Sequence, residues 1–125
     1  MISVEITAVF AALLAIIQVA FTMRVIGMRF SSQVSLGDGG NDELLKRMRA
    51  HGNFVETVPI ALILLLLNEL SGVNANLLYG LGGAFVLGRL MHYAGVAFRV
   101  PILFRMIGMI VTILVIICLA TTLVI

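Results

Sequence analysis

The chain has 125 residues, 62% of them hydrophobic and 11% charged, with a net charge of +2, a pI near 9.2 and a mean hydropathy of +1.19. A soluble domain of this size has too little interior to hide so much apolar surface, so lipid is the solvent for most of the chain. The eight Lys and Arg residues are scattered through apolar sequence and form no basic stripe with interleaved aromatics, which excludes nucleic acid as a partner.

A crossing takes roughly 20 apolar residues, so four membrane helices with short connections account for nearly the whole length and predict an all-α, four-helix transmembrane bundle in a single domain, 1–125. The first helix is expected over about 2–26, since Glu5, Thr7 and Gln18 alone interrupt the apolar run before Arg24. The segment lacks a basic n-region and carries Glu5, so it reads as a retained helix and not a cleaved signal. Arg24 and Arg29 mark its exit into a Ser-, Gly- and Asp-rich loop, where Gly37-Asp38-Gly39-Gly40 suits neither helix interior nor lipid-facing backbone.

Asn41 is placed to cap the second helix, with Asp42 and Glu43 in a first turn where the helix dipole favours negative charge. The uninterrupted apolar run of this helix, 58–67, is about half a crossing. The helix therefore recruits its polar N-terminal half and is expected over 42–70, which brings Arg49, His51, Asn53 and Glu56 into or beside the bilayer, followed by a kink at Pro59. The third helix is expected over about 77–98, with Gly80, Ala84 and Gly88 as a small-residue stripe for close packing. The fourth is expected over 106–125, with Cys118 as a packing residue. Lys and Arg gather in the first and third connections and are missing from the second and from both ends, which predicts cytoplasmic first and third loops and non-cytoplasmic termini.

Arg49, Asn53 and Glu56 are spaced i, i+4, i+7 and project within roughly 40 degrees of one direction. Arg89, His92 and Tyr93 likewise share a face of the third helix. Facing lipid, Arg49, Glu56 and Arg89 together would cost on the order of 8 to 10 kcal/mol, so the two polar faces are expected to meet. One explanation is a buried ion pair of Glu56 with Arg89 or Arg49 that fixes helix register and binds nothing. The other is a site for a small zwitterionic ligand, because Arg24 or Arg29, Arg49, Arg89 and Arg105 outnumber the single intramembrane carboxylate. His51 lies about 160 degrees from the Arg49 stripe and suits an outward or interhelical hydrogen bond. His92 is on the polar face, but neither histidine has the partners of a metal site. Asn68, Glu69 and Tyr79 read as interfacial anchors near the opposite surface, and Tyr93 is open to that role as well.

The run Arg49-Ala50-His51-Gly52-Asn53-Phe54-Val55-Glu56-Thr57-Val58-Pro59 resembles the helix-2 signature of the MAPEG family, the membrane-associated proteins of eicosanoid and glutathione metabolism. Gly88-Arg89-Leu90-Met91-His92-Tyr93 resembles the third helix of its small bacterial members, and length and layout match over essentially the whole chain. The resemblance implies a homotrimer in a bacterial inner membrane that binds glutathione between subunits near the cytoplasmic side. It implies a transferase or peroxidase acting on a lipophilic electrophile. Carried over by position, Arg49, Asn53, Glu56, Arg89, His92 and Tyr93 hold glutathione with Arg24 or Arg29, and Arg105, with Arg99 as the alternative, stabilises the thiolate. The chain departs from well-known members at Val96 and Thr57, where tyrosines stand, which leaves one ligand contact of the pattern without its residue. These departures suit a non-catalytic protein of the same fold. A small multidrug exporter also has four helices in a short chain, but here Glu5 is too near the terminus to couple protons at mid-membrane and the first loop is long and polar.

Overall fold

A computed structural model of the chain describes residues 3–125 and contains four helices: α1 (Glu5–Ser32), α2 (Asp42–Leu70), α3 (Ala75–Ala97) and α4 (Ile102–Val124). Ile2, the expected start of the first helix, lies outside the described residues. α1, α2 and α4 are each long and apolar enough to cross a membrane. α3 lacks an equally apolar stretch of crossing length because Arg89, His92 and several glycines interrupt it, and it has the most buried residues of the four helices. The fold is a four-helix membrane bundle in which α3 and α4 pack most closely, α2 touches all three other helices, and α1 leans on α2 and lightly on α3.

Each helix buries one stripe and turns the rest of its apolar surface outward. On α1 the buried side is Ile6, Phe10, Leu14 and Phe21, whereas Val9, Ile16, Val19 and Met23 are exposed. On α2, Ala50, Phe54, Val58, Ala61, Leu65 and Asn68 recur at spacings of three and four, the repeat that keeps one face against neighbouring helices. Gly108, Thr112, Val115 and Leu119 do the same on α4. The outward residues form the lipid-facing coat expected of a chain whose solvent is hydrocarbon.

Helix boundaries differ from the sequence expectation where polar residues continue a helix beyond the apolar run. α1 extends to Ser32, past the expected exit near Ile26, because Ser31 and Ser32 bond back to the Met28 carbonyl and Gln33 closes the helix in the left-handed conformation at φ 56°. α4 begins at Ile102, one turn before Met106, since Pro101 holds φ −54° at the N-cap and needs no N–H there. This places Arg105 in the first turn of α4. α2 starts after Asn41, whose side chain accepts from the Leu44 N–H at 2.9 Å, and Pro59 sits inside it on the exposed face.

The small-residue stripe serves close packing in part, through Gly88. Gly80 faces open space, and the close approach of α3 and α4 is made by Gly88, Gly95 and Gly108. A methyl group on Gly108 would strike the His92 backbone nitrogen and the Gly88 carbonyl, and one on Gly95 would strike the Arg105 backbone. These backbone contacts set the depth of Arg105 relative to His92.

The expected interfacial anchors Asn68 and Glu69 have internal partners instead. Asn68 is fully buried; its Nδ2 donates to the carbonyls of Leu64 (2.8 Å) and Leu119 (2.9 Å), and its Oδ1 accepts from Thr122 Oγ1 at 2.6 Å. The Glu69 carboxylate accepts from the backbone N–H groups of Ile6 (2.8 Å) and Thr7 (2.7 Å). It caps α1, whose own N-cap residue Val4 has no side chain for the task. Tyr79 is exposed.

Candidate functional site

Between the start of α2, the end of α3 and the start of α4 lies an open groove of about 750 Å³. Lys46, Arg49 and Asn53 of α2 form one wall, and Arg105, Met106, Met109 and Ile110 of α4 form the other. His92, Gly95 and Val96 of α3 and Phe98 of the α3–α4 link complete it. Its polar residues are mostly cations, and among the described residues no carboxylate lines it.

Arg89 lies behind the groove and is 1% exposed. Its partners are neutral: Nε donates to Thr112 Oγ1 at 2.8 Å, and Nη1 donates to Thr57 Oγ1 at 3.2 Å and to Asn53 Oδ1. Its Nη2 is buried with no hydrogen-bond partner among the described residues. A buried guanidinium held by two hydroxyls and an amide keeps its charge uncancelled, a costly arrangement that calls for a counter-charge nearby.

The expected ion pair between Glu56 and an arginine does not form among the described residues. Among the described residues the salt bridge is Arg47 with Glu43, at 3.6 Å near the start of α2. Glu56 is exposed one step along the α2 stripe from Asn53, outside the groove lining, and Arg49 is exposed as well. The stripe is therefore divided: Asn53 meets Arg89, whereas Arg49 and Glu56 turn outward.

Of the remaining sequence candidates, the structure gathers Arg49, Asn53, His92 and Arg105 in the groove, with Arg89 against Asn53. His92 is 5% exposed. Tyr93 is turned away from the groove, stacked on Phe21 at 3.5 Å between ring centroids, and receives a hydrogen bond from Arg24 Nε at 3.0 Å. The Arg24 guanidinium lies 4.5 Å from the centroid of Phe98, so it reaches the groove's rim through that ring. Arg29 is occupied in the first loop, where Nη1 donates to the Gly37 carbonyl at 2.8 Å. His51 is within 3.0 Å of Thr22 Oγ1 on α1, an interhelical bond.

Of the two hydroxyl acceptors that hold Arg89, Thr112 was not singled out from the sequence, and Thr57 was noted only as standing where the family pattern has tyrosine. Each also bonds back to its own helix, Thr112 Oγ1 to the Gly108 carbonyl at 2.8 Å and Thr57 Oγ1 to the Asn53 carbonyl at 3.1 Å. A signal for Thr112 was present, since Arg105, Gly108 and Thr112 fall at i, i+3 and i+7 and share a face.

Comparison with known proteins adds an independent line. The family model described as the MAPEG family matches residues 7–125. Over 90 residues the chain is 39% identical to the Inner membrane protein YecN of Escherichia coli (strain K12), covering 72% of this chain and 69% of that protein. The Inner membrane protein YecN of Escherichia coli O6:H1 matches with the same identity and coverage. With the family match spanning nearly the whole chain, a relative in a bacterial inner membrane and a four-helix membrane bundle, this protein belongs to the MAPEG family.

Proposed function

We propose that this protein binds glutathione in the groove between α2, α3 and α4 and uses it as a transferase or peroxidase on lipophilic electrophiles that arrive from the membrane. The observation that carries this reading is a groove walled by Lys46, Arg49 and Arg105 and backed by Arg89, with no carboxylate among its lining residues. Such a site wants an anionic ligand, and the family includes glutathione transferases and peroxidases. Glutathione brings two carboxylates and an amine. In this reading Arg49, Asn53 and His92 hold its peptide, Arg89 supplies positive potential from behind, and Glu56 takes the amino group.

Arg105 carries the chemistry. A guanidinium beside the sulfur stabilises the thiolate over the thiol and raises the nucleophile fraction at neutral pH. We assign this role to Arg105 over Arg99 because Arg105 lines the groove and Arg99 does not. Of the two helix-1 arginines we assign Arg24 to the ligand, since Arg29 is engaged by loop carbonyls. Tyr93 then acts through Arg24.

Glu56 exposed on a membrane helix is untenable toward lipid, which supports a homotrimer whose neighbouring protomer covers the α2 stripe and closes the groove. The Lys and Arg residues flanking the groove support an orientation with the groove toward the cytoplasm, where glutathione is held. Isothermal titration of glutathione into purified protein in detergent tests the reading: binding is expected, with Glu56→Gln weakening it at least about tenfold through a lost charged hydrogen bond. Absence of binding to the native protein overturns the reading. Val96, in the groove at a position where the family pattern has tyrosine, favours a second reading in which glutathione binds without turnover. Binding with no conjugation of any lipophilic electrophile tested would select it.

A further inference from the structure

We propose that Thr112 is a positioning residue for the groove: acting through Arg89, it fixes the Asn53 side-chain amide so that this wall presents a hydrogen-bond donor and takes a ligand oxygen, a carboxylate or peptide carbonyl, in preference to a ligand amine. The inference rests on the groove being the glutathione site. Its basis is a directed chain of hydrogen bonds. Arg89 can only donate, so the amide end of Asn53 that meets Nη1 is Oδ1, and Nδ2 is left as the free end. A flipped amide would set N–H against N–H.

Arg89 is itself aimed from α4. The Thr112 hydroxyl has one proton, and the Gly108 carbonyl takes it at 2.8 Å, so a lone pair is left for Arg89 Nε at 2.8 Å. Gly108 cannot drift, because its backbone lies against the backbones of Gly88 and His92. The sequence of bonds thus runs from a rigid helix crossing to Thr112, to Arg89 and finally to Asn53, which alone of the three side chains lines the groove. A carboxylate in the place of Thr112 would also hold Arg89, but it would cancel the charge. A hydroxyl orients the guanidinium and leaves its field intact.

Thr112→Val keeps shape and removes the acceptor, while Thr112→Ser keeps the acceptor. By glutathione titration, Thr112→Val is expected to weaken binding about tenfold and Thr112→Ser to bind as the native protein does. In an Asn53→Ala background, Thr112→Val is expected to cause no further loss, because no amide remains to be oriented. Equal losses in both backgrounds, or native affinity in Thr112→Val, would overturn the proposal. Should Thr112→Val fail to fold, Thr112→Cys, a poorer acceptor of similar size, gives the same comparison with smaller amplitude. The side-chain amide resonance of Asn53 in protein labelled with 15N-asparagine separates this idea from the glutathione reading. A resonance moved by Thr112→Val and not by Thr112→Ser supports the positioning role even if glutathione does not bind, and one moved by neither overturns it.

Discussion

Where α2 finishes, Asn68 spends both amide hydrogens on the Leu64 and Leu119 carbonyls and Glu69 covers two N–H groups of α1, whereas Arg49, Glu56, Arg89 and Arg105 toward the other end are left with unspent capacity. Both sets are polar groups on membrane helices, and both carry the penalty of leaving water. The difference lies in saturation. A polar group whose partners all belong to the chain fixes helix register and has nothing left for a ligand. One that is buried with a free N–H beside an open groove is positioned for something the chain does not itself contain.

The contrast can be broken most sharply at Arg105. Arg105→Ala is expected to abolish the thiolate absorbance that appears on glutathione addition and to lower kcat by about 10²- to 10³-fold, the effect of deleting one charge-stabilising group. Unchanged thiolate absorbance would remove the catalytic assignment. At the saturated end, Asn68→Leu is expected to cost about 1–2 kcal/mol of stability in a detergent unfolding titration, within the range of interhelical hydrogen bonds in membranes, and to leave glutathione affinity untouched. A loss of affinity without a loss of stability would erase the distinction between the two ends. The smallest effect is expected at Glu69. Glu69→Gln keeps one of the two acceptor oxygens for α1 and loses the other together with the charge at the helix N-terminus, so about 1 kcal/mol should disappear, and high salt should narrow the part due to charge.

Much of the fold was legible because lipid imposes a coarse rule: long apolar runs become crossings, and a Gly-Asp-Gly-Gly segment cannot lie among them. The ends of α1 and α4 were harder to read, since Ser31 and Ser32 hold a helix together by bonding to Met28, and Pro101 starts one before the apolar run begins. Polarity alone also misread Asn68, because a buried amide and an interfacial one look alike until the α4 carbonyl that receives it is known. Within the candidate site, periodicity brought Arg49, Asn53 and Glu56 to one stripe, but which neighbour that stripe faces depends on helix packing. The hydroxyls of Thr57 and Thr112 were hidden for a different reason. In an apolar run a threonine reads as a β-branched packing residue, and only the arrival of Arg89 from α3 makes it an acceptor.

The Glu69 cap has a consequence for how the protein is made. The carboxylate that completes the first turn of α1 lies 63 residues downstream of Ile6, so a nascent chain that holds α1 but not yet α2 has a helix with bare amide donors at its N-terminal end. Those donors stay hydrated until the second crossing has been synthesised and folds back alongside. Insertion of the two as a hairpin, not one after the other, is the route that never strands them in hydrocarbon.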